Sequence, residues 1–96
     1  MLVLITYDVN TQTAAGRKRL RKVAEVCEDY GQRVQNSVFE CVIDWALLKQ
    51  LQAKLVGLID QEKDSLRFYY LGEKWEGRVE HFGAKETQNL LATLIT

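Results

Sequence analysis

Two neighbouring stretches carry residues that could do chemistry. The apolar run "LVLITYDVN" ends on the carboxylate of Asp8, and the chain then turns cationic in "GRKRLRKVAE". An aspartate in that place either starts an Asx-turn or caps a connection, or it serves as a metal ligand. Mg²⁺ takes only one or two carboxylates, with waters and substrate phosphates filling its octahedron. In a two-fold dimer, Asp8 of each chain would supply such a pair, and water attack on a phosphodiester is the natural reaction. The candidate ion is Mg²⁺, or Mn²⁺ in its place, with Asp8 as its ligand.

Five of the six residues from Arg17 to Lys22 are cationic. They fall in the first half of an expected helix, where the helix dipole favours negative charge by about 0.3–1 kcal/mol per residue. Glu25, Glu28 and Asp29 then occupy the second half, so the helix is charged against its own dipole throughout. A solvated face paired at i, i+4, as Arg21 with Glu25, is one explanation. Phosphate binding by Arg17, Lys18, Arg19, Arg21 and Lys22 is the favoured one, because it accounts for the adverse placement.

Other residues offer less. His81 stands in "VEHFG" with no nucleophile motif to serve, and reads as a surface or edge-strand histidine. Phe68, Tyr69 and Tyr70 lack the glycine-spaced pattern of an RNA-recognition sheet and read as core and interface. There is no glycine-rich phosphate loop, HExxH motif or nucleophile elbow. Thirteen basic residues balance thirteen acidic ones, so net charge identifies no partner. Cys27 and Cys41 are badly spaced for zinc and are expected as buried thiols of a cytosolic protein.

The elements that must position these groups follow from periodicity. Leu2 to Tyr7 is a strand either covered on both faces or central in its sheet. Asn10 to Thr13 is a turn, with Thr11 or Thr13 capping a helix from Ala14 to Tyr30 that buries Leu20, Val23, Ala24, Cys27 and Tyr30. Gly31 is a helix stop. In "RVQNSVFECVI" the apolar residues change parity, which predicts a bend or a tight hairpin near Asn36-Ser37. Asp44 caps a second helix bearing Leu47, Leu48, Leu51, Leu55, Leu58 and Ile59. "DQEKD" is a solvated connection, Leu66 to Leu71 a strand, Gly72 to Gly77 a turn, and Arg78 to Phe82 a short last strand. With a hairpin there, the core order is βαββαβ, the ferredoxin-like α+β sandwich with two helices on one face of an antiparallel sheet.

The 96 residues make one domain, marginal alone and stabilised by pairing. Residues 1–82 are its expected core and 83–96 a dimerisation tail, apolar at Leu90, Leu91, Leu94 and Ile95. The apolar start is too short for a signal or a membrane span, so a cytoplasmic protein with no membrane partner is expected.

"LITYDVN", "GRKRLRKVAE", "GQRVQNSVFEC" and "SLRFYYLG" together resemble the CRISPR-associated protein two family, in its order and spacing along essentially the whole chain. The resemblance implies a homodimer whose C-terminal segments are exchanged onto the partner's sheet. It also implies a Mg²⁺-dependent endonuclease with Asp8 meeting its dimer mate. Residues tied to activity or nucleic-acid contact in the family fall here on Tyr7, Asp8, Arg17, Arg19, Arg33, Ser37 and Phe39. The implied role is CRISPR spacer acquisition with the integrase, on duplex DNA. Single-stranded RNA cleavage, or non-catalytic scaffolding of the integrase, are the alternatives.

Overall fold

The computed structural model describes residues 1–83, so Leu90, Leu91, Leu94, Ile95 and all but the first residue of the expected tail lie outside the described residues. The elements are β1 (Leu2–Asp8), α1 (Ala14–Glu28), β2 (Gln32–Gln35), β3 (Val38–Val42), α2 (Trp45–Leu58) and β4 (Ser65–Gly72), followed by a 3₁₀ turn at Glu76–Arg78. The four strands form one antiparallel sheet in the order β2-β3-β1-β4. This is the ferredoxin-like βαββαβ arrangement, with β1 central, one of the two placements its apolar run allowed.

Alternation along the strands sorts side chains onto two faces. Val3, Ile5 and Tyr7 of β1 join Phe39 and Cys41 of β3 under the helices, where Val23, Ala24 and Cys27 of α1 and Leu48, Leu51 and Leu55 of α2 complete the core. Leu47, expected in that stripe, is exposed instead. Leu4, Thr6 and Asp8 take the opposite face, which no helix covers.

Local signals set the ends of the elements. The Thr13 hydroxyl accepts from the Gly16 amide at 3.0 Å, and the Asp44 carboxylate from the Leu47 amide at 2.8 Å. Both are side-chain N-caps. Gly31 is required by space: a Cβ there would stand 2.2 Å from the Glu40 carbonyl oxygen and 2.7 Å from the Cys41 sulfur. The change of parity in the middle stretch is a β2–β3 hairpin with a register shift between Arg33 and Gln35. Both cysteines are buried and free. Burial pushes each thiol up to about 12, which leaves them unreactive.

One expected element is missing. Arg78 to Phe82 is not a strand: Glu76–Arg78 is a 3₁₀ turn, and among the described residues no sheet edge pairs with those after it. Val79 does have extended backbone (φ −124°, ψ 121°), so that residue has strand dihedrals without a ladder. No described helix is long and apolar enough to cross a membrane.

Candidate active site

Asp8 is the last residue of β1 and lies opposite Ser65, the first of β4. Its carboxylate is exposed and, among the described residues, has neither a hydrogen bond nor an ion pair. The Asx-turn that the sequence allowed for Asp8 is made two residues later, where Asn10 Oδ1 accepts from the Gln12 amide at 2.9 Å. Asp8 therefore holds no local structure together.

The carboxylate opens onto a polar groove of about 320 Å³ on the helix-free face, lined by Thr6, Asp8, Ser65, Arg67 and Tyr69. On the other side of β1, the Ser37 carbonyl accepts from the Tyr7 amide at 2.9 Å, which brings the β2–β3 turn against the same strand end. One carboxylate with neighbouring hydroxyls is a hard oxygen donor set that suits Mg²⁺ or Mn²⁺. No three His, Cys, Asp or Glu side chains converge to hold a metal among the described residues, so one chain supplies only part of a site.

Tyr7 and Phe39 do not meet Asp8. Both are buried in the core on the helix-covered face, one strand thickness from the groove. The Tyr7 hydroxyl donates to the carboxylate of Asp64. Burial, and then that hydrogen bond, raise the phenol to about 12. Arg33 is exposed and folds back over its own hairpin: Nε and Nη2 donate to the Asn36 carbonyl at 2.8 and 2.6 Å, and the guanidinium stands 5.9 Å from the centre of the Phe39 ring. Its contacts fold the hairpin.

Arg19 is also committed. Its Nε and Nη2 donate to the two Asp64 carboxylate oxygens at 2.8 and 3.1 Å, a two-point ion pair. The Asp64 side chain has no exposed surface and that of Arg19 is 20% exposed. Asp64 was expected in a solvated connection, but it is the centre of a buried cluster that also receives the Asp60 amide at 3.0 Å. Burial alone would push its carboxyl up. The hydrogen bonds from Arg19, Tyr7 and the Asp60 amide outweigh burial and hold it below the ordinary value.

That leaves four cations on α1. Arg17 Nη1 donates to the Thr11 carbonyl at 3.0 Å and straps the turn before the helix. Lys18, Arg21 and Lys22 are exposed, and Arg21 forms no ion pair with Glu25. The first turn of α1 has no acidic residue and its last turn no basic one, so the adverse charge stands uncompensated. The sequence reading missed two residues here, Asp64 and Arg67. Arg67 is the cation on Asp8's own face, and outward position in β4 is its one sequence signal.

Comparison with known proteins places this geometry among relatives. The family described as CRISPR associated protein Cas2 matches residues 1–79. A CRISPR-associated endoribonuclease Cas2 of Chlorobaculum tepidum is 61% identical over 95 residues, covering 99% of each chain. A CRISPR-associated endonuclease Cas2 of Halalkalibacterium halodurans is 59% identical over the same length and coverage. The crystal structure of Streptococcus pyogenes Cas2 at pH 6.5 superposes with a TM-score of 0.80 at 59% identity, covering 86% of this chain and 100% of that one.

Proposed function

The chain belongs to the CRISPR-associated Cas2 family, and from that premise we propose that it is a divalent-metal-dependent endonuclease of duplex DNA acting in spacer acquisition. The observation that carries the reading is the exposed, unpartnered Asp8 carboxylate at the end of a central strand. A bound Mg²⁺ would supply positive charge where the phosphodiester gains negative charge. In the hydrolysis itself, a water oxygen bonds to phosphorus and one phosphorus–ester bond breaks with its electron pair on the leaving oxygen. The proton lost by the water is balanced by the one that oxygen gains.

The chain's own residues supply position. β1 is held on both sides by β3 and β4, so the Asp8 backbone is fixed while its side chain stays free. A homodimer supplies the second carboxylate. Three features among the described residues support it: the outer edge of β4 is unpaired, Val79 is extended without a ladder, and Trp45, Tyr70 and Phe82 are exposed. Lys18, Arg21 and Lys22, exposed on α1, would take DNA phosphates, and the CRISPR integrase is the expected protein partner.

The assay is purified protein with duplex DNA and with single-stranded RNA, each with and without Mg²⁺, beside Asp8→Asn. The amide keeps the shape and removes the charge. Asp8→Asn is expected to keep the fold and lose Mg²⁺-dependent cleavage of duplex DNA. Cleavage by the variant at the wild-type rate refutes the reading and leaves DNA binding for the integrase. The relative named endoribonuclease makes RNA the necessary second substrate, and cleavage confined to RNA would reassign the activity.

A further inference from the structure

The groove on the helix-free face holds more than a carboxylate. Arg67 is directly opposite Thr6 in the β1–β4 register, and Ser65 is opposite Asp8. Asp8 and Arg67 are therefore diagonal neighbours on one face, a relation that separates such positions by about 7–8 Å. They form no ion pair. The one hydrogen bond of the Arg67 guanidinium is a long one, 3.4 Å from Nη1 to the Tyr69 hydroxyl. The remaining guanidinium donors have no protein partner among the described residues.

A guanidinium with one long hydrogen bond near a carboxylate that attracts it without direct contact, with the Thr6 and Ser65 hydroxyls between them, is an incomplete ion network among the described residues. Any bare anion would meet repulsion from Asp8. A phosphodiester whose charge is shared between a cation on Asp8 and the guanidinium fits, and the planar fork of arginine matches two phosphate oxygens. We propose that Arg67, aided by the Ser65 hydroxyl, binds the phosphodiester that is cleaved, with Tyr69 orienting the guanidinium from the next outward position. This rests on the reading of Asp8 as the metal ligand. It assigns the phosphate half of the site to β4, on the opposite side of the sheet from the α1 cations.

Two measurements test it. Binding is read first, by fluorescence anisotropy of a short duplex in EDTA across a range of salt, comparing Asp8→Asn with Asp8→Asn/Arg67→Gln and Asp8→Asn/Arg67→Lys. Loss of a phosphate contact lowers the slope of log K against log salt by about 0.9. The Gln variant is expected to show that loss and the Lys variant to retain the slope. Cleavage is read second: Arg67→Gln with Asp8 intact is expected to lower kcat at least about tenfold, as removal of a preorganised charge on the reacting group does, with an unchanged melting temperature. An unchanged salt slope overturns the proposal whether or not Asp8→Asn cleaves. A lowered slope with unchanged kcat overturns the assignment to the cleaved phosphate. Cleavage by Asp8→Asn at the wild-type rate, with a lowered slope in the Gln variant, refutes the metal-ligand reading while keeping Arg67 as a phosphate contact.

Discussion

Arg19 and Arg17 are two residues apart in one basic cluster, yet their truncation is expected to have opposite consequences. Arg19→Ala removes both charge-assisted bonds to Asp64, whose side chain is wholly buried. Such bonds contribute about 1.5–3 kcal/mol each, and breaking a buried pair costs about 3–5 kcal/mol. The lower figure applies here, because Tyr7 and the Asp60 amide still serve the carboxylate and Arg19 is partly solvated. A loss of about 3 kcal/mol corresponds to roughly 12–24 °C in Tm for a domain of this size. Differential scanning fluorimetry at one fixed protein concentration reads it, since pairing makes Tm concentration-dependent. Arg17→Ala, which loses one exposed bond to a carbonyl, is expected to melt close to wild type. The pH dependence follows from the lowered Asp64 carboxyl. A carboxyl depressed in the folded state contributes fully above the unfolded value of about 3.9 and less as pH falls through the folded one. The gap between wild type and Arg19→Ala in urea denaturation should therefore hold from neutral pH down to about 5 and close below about 4. If Arg19→Ala melts where Arg17→Ala does, and instead flattens the salt dependence of DNA binding, the residue is a nucleic-acid contact and the buried-pair reasoning is wrong.

Tyr7→Phe deletes the hydroxyl that donates to Asp64 and is expected to lose about 1.5–3 kcal/mol of stability. At a temperature where the variant is folded, kcat should stay at the wild-type value, because the ring lies under the helices; a collapse of kcat there would mean that Tyr7 reaches the chemistry. Gly31→Ala places a Cβ against the Glu40 carbonyl and Cys41 and should destabilise by about 1–3 kcal/mol, read as a fall in Tm. An unchanged melting curve would show that β3 can move aside.

The apolar periodicities of β1 and α1, the hairpin between Arg33 and Ile43, and the caps at Thr13 and Asp44 were legible because each depends on neighbours a few residues away. Asp8 was legible as a candidate for the same reason: it interrupts a pattern. Arg19 and Asp64 were not, since one reads as part of a basic run and the other as part of a charged connection. Only the fold brings them together across 45 residues. Arg67 needed the β1–β4 register before it could be set beside Asp8. The last strand was expected from composition, but a strand needs a ladder as well as extended backbone, and among the described residues Arg78 to Phe82 pairs with no sheet edge.

Adjacent residues in β1 have unrelated duties: Tyr7 is a core residue anchored to Asp64, and Asp8 is a solvent-facing carboxylate. Because side chains alternate strictly along a strand, an insertion or deletion of a single residue between Leu2 and Tyr7 would exchange the two. It would drive a charge into the apolar layer and turn a phenol out to solvent. The length of this segment is thus constrained modulo two. Any natural variation there should arrive as point substitution or in pairs of residues, whereas the turn from Val9 to Thr13, beyond the last ladder position, carries no such arithmetic.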